Sequence, residues 1–279
     1  MFELEKILAS NPASCQGNDV SRASMLAKIR AYASAYSTLP QGCSVILWHS
    51  DTLEFGLRLL ALAQHNIDVV IPPNSQTQTL QDIAALTPFY AGEALADLPH
   101  RLQQVEQCDP CPVFDAQLYW PSASTHSGNL IFFTSGSTGP AKAISKSWRA
   151  INLELATLDQ AFSATGDTEF VAMVSHQHIY GLLFKLLWPL RFGHHFEVMS
   201  YQYPEHLRAR IEGVKHCFII ASPAQLSRLA QDNVLMSEKT RIGRVFSSGG
   251  PLKDADAITL YEQLNVAVTQ VYGSTETGG

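Results

Sequence analysis

Apolar and polar positions alternate along this chain with two periods, and the switches between them mark out strands and helices. Val20 to Leu39 repeats apolar and alanine residues at helical spacing with polar residues between, predicting a helix. Cys43 to His49 (CSVILWH) is a short unbroken apolar run, predicting a buried strand. Asp51 follows as an N-cap, with Glu54 three residues on, and predicts a helix to about His65. Asp68 to Ile71 is the next strand, ended by Pro72-Pro73. Strand, helix and strand in that order predict a right-handed parallel crossover.

Residues 88–127 are rich in Pro, Gln and Asp, are weakly periodic, and read as a connecting segment. From Leu130 the alternation resumes. Strands at 130–133, 170–174, 195–199, 216–221, 243–247 and 266–272 alternate with helices at 147–163, 179–190, 204–212, 223–231 and 254–264. This predicts an α/β fold of predominantly parallel sheets flanked by helices. It divides into an N-terminal lobe with its connecting segment, residues 1–127, and a second lobe, residues 128–279.

Composition narrows the function. The chain has 279 residues, 46% hydrophobic and 16% charged, ample for a buried core. Its 19 basic residues are scattered and the net charge is -6, which argues against nucleic acid or an anionic membrane as partner. The N-terminal MFELEKILASNPASC is acidic where a signal peptide is basic. The most apolar long stretch, Ile179 to Leu190, is interrupted by Lys185 and is too short to span a bilayer. A soluble, cytoplasmic protein is expected. Five cysteines make no secretory disulfide framework. Cys108-Asp109-Pro110-Cys111 has no second pair and sits in a Pro-rich stretch, so it reads as loop cysteines rather than a zinc or redox site. His194-His195 reads as the entry to a strand.

The most informative segment is Thr134 to Lys142, TSGSTGPAK, directly after the apolar run Leu130-Ile131-Phe132-Phe133. A buried strand feeding such a loop presents backbone N–H groups, rotatable hydroxyls and a cation to one point, which is chemistry for a polyphosphate. A Walker-type loop needs lysine directly after the second glycine and a hydroxyl residue next. Here Lys142 stands three beyond Gly139 and Ala143 follows, so that reading fails. A flexible Ser/Gly linker has no reason to follow a buried strand. Two more segments, Ser247 to Leu252 (SSGGPL) and Gln270 to Glu276 (QVYGSTE), also lie at the ends of expected strands. Open parallel sheets bind ligands off the carboxyl ends of their strands.

TSGSTG-x-x-K resembles the phosphate-binding signature of the adenylate-forming superfamily: acyl-CoA synthetases, adenylation domains of peptide synthetases, and luciferases. Three further segments resemble the family's elements in the family's order. His176-Gln177-His178-Ile179-Tyr180-Gly181 is similar to the segment lining the acid pocket, and Ser247 to Leu252 to the turn beside the adenine. Tyr272-Gly273-Ser274-Thr275-Glu276 is similar to the tyrosine-glycine-x-threonine-glutamate element.

The resemblance implies the N-terminal subdomains of an acyl-CoA synthetase-like enzyme, an AMP-forming acid–thiol ligase, with residues 128–279 as its nucleotide-binding lobe. Such an enzyme activates a carboxylate with ATP and passes the acyl group to the thiol of coenzyme A or an acyl-carrier protein. Thr134, Ser135, Ser137 and Thr138, with the N–H groups of Gly136 and Gly139, would then hold the β- and γ-phosphates, and Lys142 would add a cation. Thr275 would touch the α-phosphate and Glu276 would bind Mg2+. Tyr272 would lie along the adenine, with Gly249, Gly250, Gln270 and Gly273 near it. His178 would form the wall between nucleotide and acid. Tyr180 and Gly181 would line the pocket of a small carboxylic acid, aryl or medium acyl.

The sequence also departs from the family. Its usual proline-lysine-glycine becomes Pro140-Ala141-Lys142-Ala143, and the chain stops at Gly279, three residues past Glu276. The expectation is therefore a ligase fragment, truncated at its C-terminal end, with little activity alone and with exposed apolar surface that favours a homo-oligomer. A non-catalytic nucleotide-binding or interaction protein on the same sheet stays open. An α/β hydrolase is disfavoured, because Gly136-Ser137-Thr138-Gly139 lacks the nucleophile-elbow spacing. His176 and His178 could share one face of a strand as a metal pair, yet no carboxylate or cysteine stands nearby in sequence to complete it.

Overall fold

The computed structural model describes residues 2–10, 13–15, 18–105, 114–122, 128–134 and 142–274. In chain order the strands are β1 (Ala13–Cys15), β2 (Asn18–Asp19), β3 (Ser44–Trp48), β4 (Asp68–Ile71), β5 (Phe89–Gly92) and β6 (Gln103–Gln104). There follow β7 (Asn129–Thr134), β8 (Lys142–Ser147), β9 (Thr168–Ala172), β10 (His195–Ser200), β11 (His216–Ala221), β12 (Ile242–Ser247) and β13 (Val268–Gln270). They belong to two compact units, one made of residues 1–9 with 21–156 and the other of 10–20 with 157–279.

In the first unit the sheet order is β6-β5-β3-β4-β7-β8, and only β8 is antiparallel to its neighbour. The runs SVILW and DVVI are apolar without alternation because neither face meets water: Val45, Ile46, Leu47, Val69 and Val70 are all fully buried. The helix Thr52–Ala63 carries the chain from β3 to β4 and starts as expected, the Asp51 carboxylate accepting the Glu54 N–H at 2.8 Å. Glu54 itself accepts from Lys28, from the Tyr32 hydroxyl at 2.5 Å and from Arg58 at 2.5 Å, which ties this helix to the helix Arg22–Tyr36.

Two expectations are corrected in this unit. Residues 88–127 are more than a connector, since Phe89–Gly92 is β5 and pairs in parallel with β3, Ile46 opposite Tyr90. The two chains close so tightly that a Cβ on Gly92 (φ +133°) would lie 1.8 Å from the Trp48 carbonyl oxygen. Its run FYAG ends in Ala and Gly and lacks the β-branched residues that mark DVVI, which hides this strand. The boundary expected at 127/128 also moves. β7 pairs with β4, Leu130 opposite Val69, so it belongs to the first unit, and the chain leaves that unit within the helix Trp148–Phe162. Pairing between distant strands sets that boundary, and a one-dimensional pattern does not carry it.

The second unit holds a sheet of order β13-β12-β11-β9-β10-β1-β2, parallel except for β2. No periodicity announces β1 and β2, only three and two residues long. They are fixed by pairing with β10 and by Ser14, whose hydroxyl donates to Glu169 at 2.9 Å. Side chains alternate across the sheet. Val171, Ile219 and Val245 face a core shared with Leu226, Leu252 and Leu260. Phe170, Phe218 and Phe246 instead surround Trp188, at ring-centroid distances of 4.7, 6.2 and 5.9 Å. Trp188 comes from a helical segment, Ile179–Phe192, whose middle Leu182–Leu187 has π geometry and which Gly193 (φ +72°) ends. No described helix is long and apolar enough to cross a membrane.

Candidate functional site

The carboxyl ends of three neighbouring strands in the second unit lie in register, Ala221 opposite Ser247 and Ser247 opposite Gln270. Beyond β12 the chain turns over this row. The Val271 N–H donates to the Ser247 carbonyl at 2.8 Å and the Ser248 hydroxyl to the Val271 carbonyl at 3.0 Å. The Leu252 N–H donates to Gln270 Oε1 at 3.1 Å. Gln270, expected beside the adenine, clasps the SSGGPL turn in this structure. Gly249 and Gly250 have φ of +92° and +158°, conformations that an L side chain rarely adopts, and no atom stands within 4 Å of where a Cβ would be. The turn therefore presents bare, open backbone beside the strand ends. Tyr272 is 99% exposed, and Gly273 beside it is exposed as well.

The acid-pocket candidates join the same row. Tyr180 donates its hydroxyl to the Ala221 carbonyl at 3.3 Å and packs on Phe184, ring centroids 5.0 Å apart. Burial pushes its phenol well above the ordinary range. Gly181 is required where it stands, because a Cβ would lie 2.0 Å from the Ser175 carbonyl oxygen. His178 is exposed at the surface, and the protein around it still holds its imidazole pKa below the ordinary value through desolvation. His176 to His178 form a turn after β9 rather than a strand, so His176 is buried and His178 is exposed, and they do not share a face. Among the described residues no group of three or more His, Cys, Asp or Glu is gathered for a metal.

In the first unit Thr134 ends β7 and lies opposite Lys142, the first residue of β8. Lys142 was expected in the loop before a helix. It instead begins an exposed hairpin strand, and residues 135–141 connect Thr134 to it. Ser135, Gly136, Ser137, Thr138 and Gly139, together with Thr275 and Glu276, lie outside the described residues, as do Cys108 and Cys111. His195 opens β10 as expected, and His194 Nε2 meets Asp159 Oδ1 at 2.9 Å. Sequence reasoning missed Gln225, whose Nε2 donates to the Met173 carbonyl at 2.8 Å just before the His176 turn. Its position in a capping box at Ser222 was the available signal.

The family described as AMP-binding enzyme matches residues 61–279. The chain belongs to that family. It is 30% identical over 165 residues to a 4-coumarate–CoA ligase of Rhodobacter capsulatus, a match covering 57% of this chain and 40% of that one. A 4-coumarate–CoA ligase of Halorhodospira halophila is 31% identical over 157 residues, covering 56% and 38%. The chain thus spans less than half the length of the curated relatives it matches. Among solved structures, the O-succinylbenzoate coenzyme A synthetase of Bacillus subtilis in complex with AMP superposes with a TM-score of 0.82 at 16% identity, covering 98% of this chain and 73% of that one. A malonyl-CoA ligase ternary product complex with methylmalonyl-CoA and AMP gives 0.74 at 20% identity, covering 96% and 59%. At such identities the likeness shows the shared α/β fold.

Proposed function

We propose that this chain carries binding residues for ATP with magnesium and for a small carboxylic acid in a ligase that joins them as an acyl-adenylate, the first half of a thioester-forming ligation to coenzyme A or a carrier-protein thiol, and that the chain alone makes little adenylate. The observation that carries this reading is the in-register row Ala221, Ser247 and Gln270. Open glycine backbone and an exposed tyrosine ring stand at one end of it, and Tyr180 is fastened to the other. A flat, apolar base fits against bare backbone and an aromatic face, and an acid fits beside Tyr180 and Phe184.

In the reaction a carboxylate oxygen attacks the α-phosphorus, the bond to the β-phosphate breaks, and its electron pair leaves with pyrophosphate. Two anions must meet, so charge neutralisation and alignment are the whole task. Lys142 and the hydroxyls of Thr134, Ser135, Ser137 and Thr138 are the groups we assign to the phosphates, with Thr275 at the α-phosphate. Glu276 with phosphate oxygens suits magnesium, which is commonly held by one or two carboxylates plus substrate. His178, whose imidazole pKa desolvation holds below the ordinary value, is the residue we assign to the wall between nucleotide and acid.

The test is calorimetric titration of the chain with ATP and magnesium, for the parent and for the double variant Lys142→Ala, Thr138→Ala. The double variant should bind at least tenfold more weakly, and hydroxamate trapping with 4-coumarate should report little or no adenylate from the chain alone. A double variant that binds ATP as tightly as the parent would remove the phosphate-loop assignment.

A further inference from the structure

The carboxyl ends of β9 and β10 hold three features that the reading above does not use: a π-helical turn, a β-bulge and a fully buried lysine. β10 pairs with β9 at His195 and Phe196, opposite Glu169 and Phe170, and next at Ser200, opposite Ala172. Residues 197–199 therefore bulge away from β9, and backbone groups there that β9 no longer pairs need other partners. Two charged side chains with 0% exposure supply them. Lys185, in the π turn, donates to the Val198 carbonyl at 3.0 Å, and the Glu197 carboxylate accepts the Met199 N–H at 3.1 Å. Glu197 is held in turn by Arg210 at 2.7 Å, and Arg210 also binds Glu169.

The lysine does a second thing. Its ammonium donates to Ser200 Oγ at 2.6 Å, and the Ser200 hydroxyl donates onward to the Val174 carbonyl at 3.1 Å. Val174 is where β9 gives way to the turn that carries His178. The carbonyl before it, Met173, is gripped by Gln225. Both carbonyls that enter the turn are thus fixed by side chains, one of them through Lys185. Further on, the Gly181 backbone passes so close to the Ser175 carbonyl that a Cβ would lie 2.0 Å from its oxygen. Burying an ammonium is costly unless its protons are used, and here they are spent on the strand ends rather than on general packing.

We infer that Lys185 is a positioning residue for the acid pocket: through Ser200 its ammonium fixes Val174 and with it the turn that sets His178 and Tyr180. The inference rests on the acid-pocket reading proposed above. Methionine at 185 would occupy similar space but leave the Val198 carbonyl and the Ser200 hydroxyl without that donor, so the charge and not the volume is what the variant removes.

The test uses the 279-residue chain as parent, Lys185→Met, Lys185→Arg and Ser200→Ala, read by amide hydrogen exchange and by titration with ATP–magnesium and with 4-coumarate. Lys185→Met should exchange amides 175–181 at least tenfold faster while β11 and β12 keep their protection. Ser200→Ala should show the same local effect, and Lys185→Arg should recover part of it. Affinity for 4-coumarate should fall about tenfold in Lys185→Met, with ATP affinity within twofold of the parent. Unchanged exchange at 175–181, exchange rising equally across the second unit, or acid and ATP affinities falling together would each overturn the inference. Should Lys185→Met fail to fold, Ser200→Ala decides it alone by the same exchange readout. A parent that binds ATP but not 4-coumarate, with the local exchange effect present, supports the tether and counts against the acid-pocket reading instead.

Discussion

Replacing Tyr272 by alanine separates nucleotide recognition from folding. The side chain is 99% exposed, so its removal takes nothing from the core, and surface substitutions of this kind stay within about 0.5 kcal/mol of the parent's stability. Its worth should lie in binding. A base stacked on an aromatic ring contributes about 1–3 kcal/mol, so ATP affinity should fall about 5- to 150-fold. Take about 30-fold as the middle of that range. ATP at about 100 times the parent's Kd stabilises the parent by about 2.7 kcal/mol, and the same concentration stabilises the variant by about 0.9 kcal/mol. The assay is urea unfolding with and without ATP–magnesium, paired with calorimetric titration. Tyr272→Phe keeps the ring and should bind within about twofold of the parent. Equal ATP affinity in the parent and the alanine variant would refute stacking. A loss of more than about 1 kcal/mol in the absence of nucleotide would refute the exposed placement.

Two predictions concern the two units separately. Burial alone would raise the Glu54 carboxyl, but hydrogen bonds from Lys28, Tyr32 and Arg58 outweigh it and hold the pKa at about 2, below the ordinary 4.5. Glu54 therefore contributes stability that is present above pH 4.5 and is lost as the pH falls through about 2, by about 1–2 kcal/mol once screening at the half-exposed Lys28 is allowed for. Glu54→Gln should lower the urea midpoint at pH 7 and make little difference near pH 2, and a deficit independent of pH would sink this account. In the second unit, Gly181→Ala forces a Cβ to within 2.0 Å of the Ser175 carbonyl oxygen, so the turn must move, at a cost of about 1–3 kcal/mol. Urea unfolding should show that loss together with weaker acid binding, and an alanine variant matching the parent in both would mean the close approach is absent in solution.

Buried parallel strands must be apolar on both faces, which is why CSVILWH and the run before the TSGSTG loop are legible as strands. The short or half-wet strands β1, β2, β5 and β8 carry no such mark. β8 reads KAISKS, exposed at four of its six positions and buried at none, and passes for loop until its pairing with β7 is known. That is why Lys142 was expected in the phosphate loop itself rather than at its neck. The candidate site divides in the same way. Gly249, Gly250 and Tyr272 announce themselves by residue type, whereas Ala221 and Ser247 matter only because register sets them in line with Gln270.

Lys185 is the instructive case. Along the sequence it only interrupts the apolar stretch Ile179 to Leu190. A lysine on the buried side of a helix survives only where carbonyls wait for it. The matching irregularity lies ten to fifteen residues away, in HFEVMS, a strand with a glutamate where a buried strand should be apolar. One buried charge in a helix and one in the next strand amount to a statement that the strand is bulged there. The bulge in turn lets a lysine of an apolar helix reach Ser200, whose hydroxyl holds the Val174 carbonyl at the head of the His176 turn.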